Sequence, residues 1–196
     1  ALKPFQAIPF VSSGAADKIN NSSKSIALSC GSHSGSKSHI REAFRILWEY
    51  DIDINNLKCP KLASSPLEHN CSGKHAAFLA TCKKLNWPLD TYLKGTHPLQ
   101  IEIFRIVSEL LEIPESDIKA ERDDCGAPTL YMKLLEMAKL YSLLSSSDNA
   151  ELEQISRAMT TNSIMISDNN KFDTEIIKAS HGHVISKGGA EGIQCF

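Results

Sequence analysis

Apolar residues recur at the helical repeat along most of this chain, and only short stretches depart from it. Ile40, Ala43, Phe44, Leu47 and Trp48 fall three and four residues apart with charges between them, which predicts an amphipathic helix. Ala76, Phe78, Leu79, Cys82 and Leu85 repeat the pattern behind Ser72, a residue type suited to capping. Thr96-His97-Pro98 reads as a helix start, because proline fits the first turn. That helix is expected to bury Ile101, Phe104, Val107 (or Ile103), Leu110 and Leu111, and to end before Pro114. Asp123 to Pro128 reads as a turn, followed by a long helix to about Leu144 with Leu130, Leu134, Leu135, Ala138 and Tyr141 inward. A polar break from Ser145 to Asn149 precedes helices over 150–166 and 172–178. Residues 52–70, with Pro60 and Pro66, read as a loop. Two stretches read as strands: Ser25 to Cys30, and His183 to Ser186 running into Lys187-Gly188-Gly189. Helices between terminal strands predict an α+β fold, mostly helical, with one incomplete sheet built from the two ends.

Composition narrows the function classes. A chain of 196 residues is long enough for one domain with a sizeable core. Lys plus Arg (21) nearly balances Asp plus Glu (23), with no basic block, so nucleic-acid binding lacks its electrostatic footprint. The apolar runs fall short of the roughly 20 residues a membrane helix needs, and no leader is read at Ala1. Six irregularly spaced cysteines do not form a disulfide framework and point to a reducing, cytoplasmic setting. Cys82, in an apolar stripe, reads as a small core residue; Cys71 and Cys125 lie among polar groups and do not.

Three clusters carry chemistry. In Cys30-Gly31-Ser32-His33-Ser34-Gly35, Ser34 is the candidate nucleophile, needing a base to take its proton. His33 is a poor base for it, since neighbours on an extended segment face opposite ways. Lys37 mimics a Ser-x-x-Lys spacing, but the Gly/Ser content argues for a solvated loop. The second cluster joins Cys71-x-x-Lys74-His75 to Asp123-x-Cys125. Two thiolates from separate segments suit a borderline cation such as zinc, with His75 the conventional third ligand. A lysine would first have to lose its proton. The third is Ser186-Lys187-Gly188-Gly189, where a buried Lys187 is a competent proton acceptor beside glycines that admit a substrate. Taken singly, each also reads as a turn serine, a buried thiol or an exposed lysine. Taken together, they predict one small-molecule pocket.

Lys3-Pro4-Phe5-Gln6, Cys30-Gly31-Ser32-His33-Ser34, His69-Asn70-Cys71-Ser72-Gly73-Lys74-His75, His97-Pro98-Leu99-Gln100, Asp123-Asp124-Cys125-Gly126-Ala127-Pro128 and Lys187-Gly188-Gly189-Ala190-Glu191-Gly192 resemble, in order, the motifs of the rhizobial-type, thermolabile L-asparaginase II family. The resemblance implies hydrolysis of L-asparagine to L-aspartate and ammonia. It implies a homodimer and a fold similar to serine β-lactamases and glutaminases. It implies two Ser-Lys pairs, one matched by Ser34 and Lys187, the other by Lys3 and a serine three residues before it. It implies zinc on Cys71, Lys74 and Cys125, with Asp123 gripping the substrate. His75 then becomes a substrate-binding or supporting candidate. The partner serine of Lys3 would precede Ala1, and relatives continue past Phe196. Residues 1–196 are therefore expected to be a single asparaginase-like domain cut at both ends. Asn162-Ser163 and Ser167-Asp168 also depart from the family pattern. The competing expectations are a catalytically impaired fragment, a glutaminase or penicillin-recognising hydrolase on the same scaffold, and a pure zinc-binding module.

Overall fold

Two helices with almost no polar face organise the molecule. In the computed structural model, which describes residues 1–62, 64–146 and 148–196, these are α3 (Ser23–Cys30) and α5 (Ser72–Lys84). Ser25 through Cys30 are all buried, and so is every residue from Ser72 to Cys82. A helix buried all round belongs at the centre of a core. α3 packs on α5, on α4 (Lys37–Glu49) and on α8 (Ala150–Thr161). Two short N-terminal helices, α1 (Lys3–Gln6) and α2 (Ile8–Ser12), lie against this centre, with α6 (Pro98–Leu111) and α7 (Leu134–Ser146) around it. One apolar cluster runs continuously from Leu2 to Ile185.

Strand content is small. Among the described residues, β1 (Ala120–Arg122) pairs antiparallel with β2 (Pro128–Leu130), and β3 (Lys187–Gly188) with β4 (Gln194–Cys195). The expected single sheet is thus replaced by two separate ladders. Ser25 to Cys30, expected as a strand, is helix α3. A short apolar run carries no period of its own, and here burial on every side replaces the alternation a strand would show. The other expected strand begins two or more residues later than its apolar signal, at Lys187. Leu130 belongs to β2 and not to the long helix. The chain is mostly helical with short strands, compatible with an α+β fold, and no described helix is long and apolar enough to cross a membrane.

The positions of α4 to α8 and of the helix Phe172–Ala179 follow the expected pattern, but several faces do not, and α1 and α2 are not among the expected elements. α4 buries His39, Glu42, Ala43, Ile46 and Leu47, one residue out of phase with the expected stripe. Phe44 and Trp48 lie outward against each other, with ring centroids 6.0 Å apart. Polar residues take the inner face because each is satisfied there. The His39 imidazole reaches Ile164 O at 2.9 Å, and Ser25 Oγ and Arg45 Nη2 both donate to Glu42 Oε1, at 2.5 and 2.6 Å. α6 starts as expected, with the His97 ring accepting from Leu99 N. Its inward residues include Ile103, Ile106, Val107 and Leu111, whereas Ile101 is half exposed. Leu134 and Leu135 are exposed on the first turn of α7. The 150–166 expectation divides into α8 and a single turn at Ser163–Met165, and α9 spans Phe172–Ala179. Ala63 and Ser147, in the expected loop and polar break, lie outside the described residues.

Gly73 allows α5 to approach α3 closely. A Cβ there would lie 2.5 Å from Leu28 Cγ and 2.6 Å from Leu28 O, so a side chain would force α5 off α3. In an open helix Gly→Ala gains roughly 1 kcal/mol. Here overpacking, worth about 1–3 kcal/mol, wins. Gly73→Ala is expected to lower stability by about 1–3 kcal/mol in urea unfolding; a variant as stable as the parent would contradict this packing.

Candidate active site

A cavity of about 520 Å³ opens where α1, the start of α5, the β1–β2 turn and β3 meet. Lys3, Cys71, Lys74, Asp123, Cys125 and Lys187 all line it. Four separate segments therefore bring six of the eight site candidates to one place. Ser34 and His75 are the two that do not line it.

α1 presents Lys3. Its Phe5 ring packs edge-on against Tyr141 at 5.6 Å, and Gln6 Nε2 donates to Pro128 O at 3.0 Å. The Lys3 amine donates to Gly31 O (2.5 Å), Ser32 Oγ (3.0 Å) and Asn70 O (3.3 Å). The chain leaves α3 through Gly31, where a Cβ would lie 2.5 Å from Met165 O. Residues 32–34 then run extended, with Ser32 N donating to Ile166 O, His33 N to Asn70 O and Ser34 N to Ser167 O. This turn sends Ser32 into the cavity.

Ser34 lies outside the cavity lining. Its hydroxyl donates to Asp168 Oδ2, away from the cavity wall, so the expected Ser34–Lys187 pairing is not made. The serine paired with a lysine is Ser32, and the lysine is Lys3. Ser32 and Ser34 have the same local composition, and nothing in sequence separates them. Only the Gly31 turn does. His33 is fixed on the far side of this segment. Its Nδ1 accepts from Gly35 N, its Nε2–H faces Ser72 Oγ, and Ser72 passes its own proton to Leu67 O.

The β1–β2 turn, closed through Gly126 at φ +83°, presents Asp123 and Cys125. Asp123 Oδ1 accepts from Cys125 N and Ala127 N, at 2.9 and 3.2 Å, and Oδ2 accepts from Lys74 Nζ at 3.0 Å. Burial opposes the Asp123 charge, but Lys74 and these donors outweigh it and hold the carboxyl below its usual range. Burial likewise works against the Lys74 ammonium, yet the two sulfurs and Asp123 raise it overall. The Cys125 thiol hydrogen-bonds Cys71 and, against burial and with Lys3 and Lys74 near, favours thiolate at Cys71 while keeping its own proton. Burial and the nearby Lys74 lower Lys3, and burial and Lys3 bring Lys187 down to about 8.

His75 also lies outside the cavity lining. It is fully buried behind Lys74, where Tyr92 Oη accepts from Lys58 N and donates to His75 Nδ1 at 2.6 Å. It is part of the packing behind Lys74. Among the described residues no group of three His, Cys, Asp or Glu is spaced for a metal, so a site here depends on Lys74 as a ligand. All six cysteines are free. A second cavity of about 400 Å³ is lined by Leu111, Ile118, Tyr131 and Met132 together with Asp117, Lys119, Lys133 and Glu136, and holds no cysteine or serine.

Paired hydroxyl and amine, two further lysines and a carboxylate around one small cavity define a polar small-molecule site of hydrolase type. A family model described as L-asparaginase II matches residues 1–196, and the chain belongs to the L-asparaginase II family. That places it among asparaginase-type amidohydrolases. No curated protein matches it.

The neutral His33 beside Ser32 has a consequence for stability. Burial, then His39, lowers it from 6.5 to about 2, so the folded state refuses a proton that the unfolded chain takes below pH 6.5. Stability from this residue is full above pH 6.5 and lost as pH falls toward 2, at about 1.4 kcal/mol per pH unit. His33→Asn, which keeps an acceptor for Gly35 N, is expected to flatten the decline of unfolding free energy between pH 6 and 5 by about that slope. An unchanged slope would show His33 protonated in the folded protein.

Proposed function

We propose that this protein hydrolyses the side-chain amide of L-asparagine to L-aspartate and ammonia, with Ser32 as nucleophile and Lys3 as its base. The observation that carries the reading is the 3.0 Å contact between Lys3 Nζ and Ser32 Oγ inside the shared cavity. A lysine whose ammonium form is disfavoured by burial can accept the serine proton. Ser32 Oγ then bonds to the amide carbon, and Lys187, near pKa 8 and still protonated at neutral pH, gives the leaving nitrogen its proton. Ammonia departs as the C–N bond breaks, leaving an ester on Ser32. Water, losing a proton to the now neutral Lys187, attacks the ester carbon, and Lys3 returns its proton to Ser32 Oγ as the ester bond breaks and aspartate leaves. Asp123, partly exposed at the cavity wall, is the group for the substrate's α-ammonium.

The scaffold is read as of serine β-lactamase and glutaminase type, supported by a helical body beside the short strand Lys187–Gly188. A homodimer is supported by the exposed Tyr131, Leu134 and Leu135 on adjoining segments. A reducing, cytoplasmic setting agrees with six free thiols. Zinc belongs to the same proposal, on Cys71, Lys74 and Cys125. The donor set fits: one sulfur already favours thiolate, the second hydrogen-bonds it, and an amine stands beside both. Loading would displace the protons of Cys125 and Lys74. When bound, the ion supplies fixed positive charge for orienting or polarising the substrate.

Ser32→Ala is expected to cut ammonia release from asparagine by about 10³-fold or more with the fold intact, while Ser34→Ala stays near the parental rate. The reverse order would assign the nucleophile to Ser34. For the metal, elemental analysis of protein purified with zinc should give about one ion per chain, falling toward none in Cys125→Ser. Stoichiometric zinc in that variant would exclude this ligand set.

A further inference from the structure

The geometry points to Asp173, a residue no motif singles out, as the positioning residue that fixes the Lys187 amine in the cavity and holds its positive charge there. The inference rests on the proposed reaction for its catalytic meaning, but its structural content is independent of it. Asp173 is the second residue of α9, is buried, and lines the same cavity. Its Oδ1 accepts from Ser186 Oγ at 2.9 Å, Gly188 N at 2.9 Å and Gln194 Nε2 at 2.7 Å. Those three donors flank Lys187 on both strands of the β3–β4 ladder. Its Oδ2 is 3.0 Å from Gly188 N and 4.0 Å from Lys187 Nζ. One oxygen therefore fastens the strand, and the other faces the amine.

A carboxylate this buried and this fully hydrogen-bonded is costly unless a cation stands beside it. Lys187 is that cation, with only 1 % of its surface exposed and its Nζ donating to Gly188 O at 2.5 Å. The other charged or titratable groups that face Lys187 are Lys3 from α1, Cys30 from α3, Cys71 from the start of α5, Cys195 from β4 and the amino group of Ala1. Burial and Lys3 both push Lys187 toward the neutral amine. Asp173 opposes them, which keeps Lys187 protonated and able to donate to the leaving nitrogen.

Asp173→Asn separates the two roles of the side chain. Its amide oxygen can keep the three Oδ1 contacts, while the charge facing Lys187 is lost. The readout is the pH titration of the Lys187 ¹³Cε resonance, assigned by its disappearance in Lys187→Met. In Asp173→Asn the midpoint is expected to fall from about 8 by about one pH unit. Asp173→Ser, a second neutral variant, should move it the same way. Gln194→Ala, which keeps the carboxylate, should leave it near the parental value. The alkaline limb of kcat/KM for asparagine should move down with the midpoint in the neutral variants. A parental midpoint in folded Asp173→Asn or Asp173→Ser overturns the inference. An equal fall in Gln194→Ala does so too, because it would assign the effect to packing and not to charge. A parent chain that releases no ammonia from asparagine would remove the proposed reaction and leave the titration comparison standing.

Discussion

Two lysine ammonium groups, Lys74 and Lys187, are withdrawn almost completely from solvent, and the architecture around the cavity is what makes that tolerable. An unpaired buried charge costs several kcal/mol. Each of these has instead a carboxylate held in place by backbone amides: Asp123 in the β1–β2 turn for Lys74, and Asp173 at the start of α9 for Lys187. The two short strand pairs are thus explained less by sheet formation than by charge compensation. Each places one carboxylate or its donors within reach of a lysine.

The helical core fixes where those lysines start. α5 is buried on every face, so Lys74, one residue beyond the close-packed Gly73, has no surface to reach and must end at the cavity. Behind it, Tyr92 and Phe78 pack around His75, and the Phe78 ring lies 5.9 Å from Lys74 Nζ. Lys3 and Lys187 approach from the two ends of the chain. Burial and repulsion from a neighbouring amine lower Lys3 and Lys187, while the two sulfurs and Asp123 raise Lys74. Thiolate character at Cys71 is the counterweight that keeps the cluster from being uniformly cationic.

Much of this was legible in the residues. The density of reactive groups from His69 to His75 marks the start of α5, and the cavity brings together Cys71, Cys125, Lys3, Lys74, Lys187 and Asp123, without the Ser34 expected among them. The locations of α4 to α9 follow from periodicity and those of α1 and α2 do not, and α4 is turned by one residue because His39 and Glu42 find partners inside, which hydrophobicity does not reveal. The strand expected at Ser25 to Cys30 failed for a related reason: a short apolar run looks alike in a buried strand and a buried helix. Ser32 was passed over for Ser34 because the choice depends on the turn at Gly31 and its approach to Met165, a tertiary contact. Asp173 had no signal in sequence, lying in an ordinary amphipathic helix fourteen residues before the lysine it faces. His75 follows the expected ligand Lys74 directly in sequence and yet turns inward to Tyr92.

The central claim is that the serine activated in this cavity is the one held by Lys3. The most direct measurement is covalent trapping with an electrophilic diazoketone analogue of asparagine, followed by fragment-ion mapping of the peptide that contains both serines. The account expects a single adduct on Ser32, prevented by excess asparagine. An adduct on Ser34, or protection by asparagine at a residue outside the cavity, would contradict it.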